Sequence, residues 1–306
     1  MRGTQSFVHT LSWCWQRPGL TALEIAWRWA LGIPAAAIVW REALRIWNSV
    51  PLDVGALERM TILNPMASAE TIRDATGQLL VPAFVVVTRF GPLLLATWIV
   101  VSSLGRALVA KQILRRMDCG VTVRPGTLIL LQALRMLALA GSFAAWFYCL
   151  RVDAVIAVAT PIGEGREPSL VLLCAIGIAA TLGMFTLWAI VSWVFSVAPL
   201  LAMLRGLNAG AALKAALMLG ELKAKLVEIN LVMGIVKIAL VVLAMVFSAC
   251  PLPFESIATP GFMVRWYIAV GAWYLIASDF FHVVRLAAYV QLWRSYEPTE
   301  AAGDAS

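Results

Sequence analysis

Six stretches of this chain, each 18 to 25 residues long, are almost uninterruptedly apolar, and no other feature restricts the possible fold as strongly. They are Leu23–Trp40, Val81–Leu104, Thr127–Leu150, Leu170–Val194, Leu226–Cys250 and Val264–Leu286, the last expected to continue to about Trp293. A bilayer's hydrocarbon core of about 30 Å is crossed by about 20 helical residues. With no water available there, a spanning segment must satisfy its own backbone donors and acceptors, which a helix does. Apolar residues make up 61% of the chain and charged residues 13%, against about 45–50% and about 25% in soluble domains. The pattern predicts an all-α, polytopic transmembrane helical bundle of six spans with short interfacial amphipathic helices. The first run is read as a retained helix and not a cleaved signal, because it carries Glu24 and Arg28 and holds several tryptophans.

Lysine and arginine collect in loops on the cytoplasmic side of bacterial membrane proteins. With the N-terminus inside, that side holds twelve of them: Arg2, Arg17, Arg106, Lys111, Arg115, Arg116, Arg124, Arg205, Lys214, Lys223, Lys225 and Arg294. The opposite side holds six: Arg41, Arg45, Arg59, Arg73, Arg151 and Arg166. The expectation is a multi-pass protein of the bacterial inner membrane with both termini cytoplasmic. Residues 1–22 are then a cytoplasmic tail, 23–293 one transmembrane domain, and 294–306 a second tail whose acidic, small-residue end reads as disordered. A net charge of +7 sits mostly at span ends, and no zinc-finger or RNP pattern accompanies it. The partners expected are therefore membrane lipids, including anionic headgroups at the cytoplasmic face, with other membrane subunits or a second copy as further candidates, and no nucleic acid.

Two connecting segments have patterns of their own. Between Arg41 and Leu80, Asn64-Pro65 reads as a helix start and Gly77 as its end, so short helices at the outer surface are expected. Residues 209–225 read as one interfacial helix on the cytoplasmic side, with Glu221 and Lys225 as an i,i+4 pair. Small residues at Gly141/Ala145, Gly177/Thr181 and Ala179/Gly183 are spaced for close helix contact. Cys149, Cys174 and Cys250 map near outer helix ends, which leaves a Cys149–Cys250 disulfide open.

Ionisable groups within a bilayer are costly and point by default to function. Ten fall inside the spans: Glu24, Arg28, Arg89, Arg135, Glu228, Lys237, Arg265, Asp279, His282 and Arg285. Seven lie in the cytoplasmic half, namely Glu24, Arg28, Arg135, Glu228, Asp279, His282 and Arg285, and three acids among three arginines and a histidine permit mutual pairing. Asp279 and His282, three residues apart, share one helix face. That juxtaposition suits a proton relay or a polar path, and equally a buried network that locks helices together. Glu24 and Arg28 form an i,i+4 pair, and Lys237 sits near the middle of the fifth span with no acid close by in its own helix. Nucleotide-loop, zinc-protease and nucleophile-elbow motifs are absent, and with only two histidines a multi-His metal or haem site is not expected. No catalytic residue and no cofactor are expected.

From Phe195 the sequence runs F-S-V-A-P-L-L-A-M-L-R-G-L-N-A-G-A-A-L-K-A-A-L and then enters a fresh apolar span. A helix ending at a proline, a G-x-x-A-x-x-A type interfacial helix and another span resemble poorly characterised bacterial six-helix proteins similar to the membrane domain of some glycerophosphodiester phosphodiesterases. The resemblance covers about residues 195–250, implies a fold and carries over no catalytic residue; no phosphodiesterase domain is present. The short helix is also similar to a coupling helix of ABC permeases, without the E-A-A-x-x-x-G signature. The expected function is a non-enzymatic structural or accessory subunit of a membrane assembly, with a transporter or permease subunit as the alternative.

Overall fold

The computed structural model describes residues 3–59, 65–220, 222–249 and 259–303. Every regular element among them is helical: α1 (Gly3–Trp15), α2 (Pro18–Ser49), α3 (Val54–Glu58), α4 (Pro65–Arg116), α5 (Pro125–Ala154), α6 (Thr160–Gly163), α7 (Leu170–Arg205), α8 (Ala209–Leu217), α9 (Leu222–Ala249) and α10 (Pro260–Gly303). A π-helical turn, Val155–Ala159, joins α5 to α6. Six of these helical stretches are long and apolar enough to cross a membrane: Pro18–Ser49, Arg73–Arg116, Pro125–Gly163, Val171–Arg205, Ala224–Ala249 and Pro260–Ser295. The chain is a multi-pass membrane protein of the all-α class, as the apolar runs predict.

Each of the six helices overruns its run at one end or both, and where charged residues follow the run their good helical propensity lets the helix continue. Thus α4 passes Leu104 and carries Arg106, Lys111, Arg115 and Arg116 on helix. Two expected boundaries are not boundaries. Gly77 lies inside α4, where glycine costs about 1 kcal/mol without ending the helix, and Pro199 lies inside α7. The α7 helix runs six residues beyond that proline and stops at Gly206, whose φ of 63° is the left-handed cap geometry that glycine adopts without steric cost. The expected start at Asn64 falls outside the described residues.

The chain divides into two compact units, residues 1–25 with 103–306, and residues 26–102. In the smaller unit, Trp27 and Trp98 tie α2 to α4 with ring centroids 6.1 Å apart. Asp53 caps α3 by accepting from the Ala56 amide at 2.8 Å. Buried Glu42 is held by Arg41 at 3.0 Å and Arg45 at 3.3 Å.

In the larger unit most of the fully buried side chains gather at one end, where the C-terminal parts of α4 and α7, the N-terminal parts of α5 and α2, and α8, α1 and α10 contribute Ile113, Leu201, Leu131, Leu20, Ala212, Cys14 and Val284. The apolar side chains of mid-span, such as Leu182 and Phe185, are exposed and face the solvent that six spans require, lipid. Helices α5 and α7 meet along the small-residue spacing. A Cβ on Gly177 would stand 3.6 Å from Asp153 Oδ2 and 3.8 Å from Leu150, and Trp146 donates to Thr181 Oγ1 at 3.1 Å. The expected 209–225 helix is broken. Asn208 caps α8 through the Ala211 amide at 2.9 Å, α8 ends at Leu217, and Lys225 belongs to α9, while Glu221 is outside the described residues. The buried face of α8 is Ala209, Ala212 and Ala216, whereas Leu217 is exposed, because small side chains let the helix lie close against its neighbours.

The segment read as an N-terminal tail forms α1, which docks on α10. Thr10 donates to Gln291 Oε1 and the Trp15 ring meets Phe280 edge-on at 5.7 Å. Burial pushes the Cys14 thiol up to about 12, a rise that the nearby Arg17 charge only partly opposes. Since the thiolate is the reactive form, maleimide labelling of Cys14 at pH 8 is expected to be slower in the folded protein than in the unfolded chain, where the thiol has its ordinary value of 9.0, by roughly a thousandfold. Equal labelling rates, read by mass spectrometry of digested protein, would mean that α1 is not docked. Cys149 is a free thiol, and its suggested partner Cys250 lies outside the described residues.

Candidate site: a polar cavity among four helices

At the well-packed end of the larger unit, α4, α5, α7 and α10 surround a cavity of about 50 Å³. Its polar wall consists of Ser103 and Arg106 from α4, Gln132 and Arg135 from α5, Ser196 from α7, and His282, Arg285 and Tyr289 from α10. Helical spacing explains the assembly. Gln132 and Arg135 are three apart, as are His282 and Arg285, so each pair lies on one face. Tyr289, one turn beyond Arg285, completes the α10 stripe. Pro199 in the α7 wall has no N–H, which removes the helix partner of the Phe195 carbonyl beside the cavity.

The side chains engage one another. Arg106 Nη1 donates to Gln132 Oε1 at 3.2 Å, which leaves the buried Gln132 amide nitrogen with no hydrogen bond within the chain. Arg285 Nη2 lies 2.8 Å from His282 Nδ1. A guanidinium can only donate, so Nδ1 accepts and the imidazole proton resides on Nε2, which faces Glu24 Oε1 at 3.6 Å. That distance is electrostatic contact and too long for a hydrogen bond. The Tyr289 hydroxyl donates to Asn230 Oδ1 at 2.5 Å, joining α10 to α9. Nearer the C-terminus, the Arg205 guanidinium stacks over Trp293 at 4.6 Å.

Of the residues singled out from sequence, Arg135, His282 and Arg285 line the cavity, with Glu24 against His282 and Asp279 buried one turn before it. Arg28 belongs to the smaller unit and stacks on Trp27 at 5.4 Å. Glu228 and Lys237 are exposed on α9, and neither lines the cavity. Depth along a span had grouped Glu228 with the others, but depth does not fix the direction in which a helical side chain points. Arg89 and Arg265 are likewise exposed, Arg89 over the Phe90 ring at 5.3 Å and Arg265 bonded through Nε to the Gly261 carbonyl at 3.1 Å.

Sequence reasoning missed Arg106, placed in a loop because it follows the apolar run, and Gln132, which carries no charge. It also missed Asp153, a carboxyl only 2% exposed at the end of α5 beside Gly177, whose Oδ1 makes no hydrogen bond within the chain. The polar periodicity Asp279, His282, Arg285, Tyr289 could have identified the α10 stripe as a whole. Among the described residues, no three His, Cys, Asp or Glu side chains come together to hold a metal ion. No protein-family model matches the chain, and comparison with curated proteins and with solved structures finds no match.

Proposed function

We propose that this multi-pass protein is a non-enzymatic structural or accessory component of a bacterial inner membrane, with both termini in the cytoplasm. The observation that carries the reading is that the intramembrane polar groups of the larger unit close on one another around a small cavity: Arg106 on Gln132, Arg285 on His282, His282 beside Glu24, and Tyr289 on Asn230. Buried polar groups satisfied by each other cement helices; a solute path would need a wet, continuous lining. The twelve-to-six distribution of loop cations supports the orientation, and anionic headgroups, further membrane subunits or a second copy are the partners it expects. The likeness of residues 195–250 to the phosphodiesterase-associated membrane domain agrees with a fold that carries no catalytic group.

Reconstitution tests the reading. Vesicles containing the protein should pass ions and small solutes no faster than protein-free vesicles, while Asp279→Asn lowers the unfolding temperature in detergent. A saturable flux that Asp279→Asn abolishes in folded protein would establish the permease alternative instead.

A further inference from the structure

The cavity has a composition that helix cementing alone does not require. Its polar wall presents three guanidinium groups, an imidazole, two serine hydroxyls, a phenol hydroxyl and an amide, and no carboxylate. Of the buried carboxylates, Glu24 faces His282 and Asp279 lies one turn before it on α10, and neither lines the cavity. Glu24 reaches the wall through His282. The wall itself thus carries three guanidinium groups beside a space of about 50 Å³, several times the roughly 10–15 Å³ that admits one water. Fixed donors outnumber fixed acceptors on the wall, the hydroxyls of Ser103, Ser196 and Tyr289 serving as either. Arginine only donates, the Gln132 carbonyl is already engaged by Arg106, and the Gln132 amide nitrogen, in a side chain 6% exposed, has no acceptor. Arg285 Nε, likewise, makes no hydrogen bond within the chain. A buried donor without an acceptor is costly, and a ligand bringing several acceptors removes that cost.

We propose that the cavity between α4, α5, α7 and α10 is a binding site for a phosphate-type oxyanion, either inorganic phosphate or the phosphomonoester headgroup of a lipid. Guanidinium forks match phosphate oxygens in pairs. Arg106, Arg135 and Arg285 come from three different helices, and a phosphomonoester offers three free oxygens, one toward each, while a planar carboxylate offers two. A cation is repelled by the same wall. Bound there, the anion would link α4, α5 and α10 through charge-assisted hydrogen bonds and supply an acceptor to the Gln132 amide. The site stands apart from the accessory reading, because binding is measured without flux.

The test uses the full chain, purified in a non-ionic detergent and stripped of lipid, with the thermal unfolding midpoint as the readout. Inorganic phosphate is titrated in one arm and phosphatidic acid in mixed micelles in the other, with phosphatidylcholine as the reference. A saturable rise with phosphate identifies a free anion as sufficient, a rise with phosphatidic acid alone identifies a headgroup, and both support the site. Arg135→Gln is expected to weaken the apparent Kd by about tenfold to a hundredfold, the range for losing a charge-assisted hydrogen bond. Arg265→Gln, on an exposed part of α10, should leave it unchanged. Should Arg135→Gln fail to fold, Arg106→Lys, which keeps the charge and loses the fork, should still weaken binding severalfold. The absence of a saturable rise in both arms with the unaltered chain overturns the proposal, as does binding undiminished in the folded arginine variants.

Discussion

The Tyr289→Ala variant unfolds with about 3–5 kcal/mol less free energy than the unaltered protein, the range for deleting a large buried aromatic side chain. Tyr289 is 2% exposed and is among the largest fully buried side chains. Its ring fills space on α10 at the edge of the cavity while its hydroxyl donates to Asn230 on α9. Tyr289→Phe separates the two contributions. It keeps the ring and leaves Asn230, whose amide nitrogen already makes no hydrogen bond within the chain, without its hydroxyl partner, at an expected cost of about 1–3 kcal/mol. Reversible unfolding in mixed micelles reads both. Equal costs for the two variants would show that the ring contributes little and that the α9–α10 contact rests on the hydrogen bond alone.

Leu201→Ala should cost about 2–5 kcal/mol, because Leu201 is 0% exposed and its deletion leaves a cavity that rigid neighbours fill only in part. On the same helix, Leu182 is 63% exposed, and Leu182→Ala should stay within about 0.5 kcal/mol, as surface replacements do. The pair of variants maps where α7 is held. A large loss at Leu201 with none at Leu182 places the packed core of the larger unit at the end of α7 near Gly206. Similar losses at both positions would mean that mid-span α7 is buried against protein in the folded state.

The six spans were legible because a bilayer demands length and apolarity, and both can be counted directly along the chain. Helix ends were less so. Neither Gly77 nor Pro199 stops its helix, since a single glycine costs too little and a proline in a membrane helix is accommodated by its surroundings. At the site, the periodicity that joins Asp279 to His282 carried real information, and Arg285 and Arg135 were found by their rarity within apolar runs. Depth groups Glu228 with the site and mid-span position singles out Lys237, but both leave rotation about the helix axis undetermined, and both side chains are exposed. Arg106 and Gln132 escaped for opposite reasons. The first looked like the end of a span, and the second bore no charge, although its orphaned amide is the most specific feature of the cavity. Tertiary proximity of α4 to α5, α7 and α10 at that point has no counterpart in the local sequence.

The docking of α1 on α10 also sets a timetable. Thr10 and Gln291 are separated by 281 positions in the chain, so the ribosome adds that many residues after Thr10 before α1 can meet its partner. At about 5–20 residues per second, that wait lasts roughly 14–56 s. Until then the α10 wall, which carries His282, Arg285 and Tyr289, is not yet inserted, and the arginines of α4 and α5 reside in an unfinished membrane intermediate. The polar centre is thus a late product of biogenesis, assembled when α1 and α10 close the larger unit together.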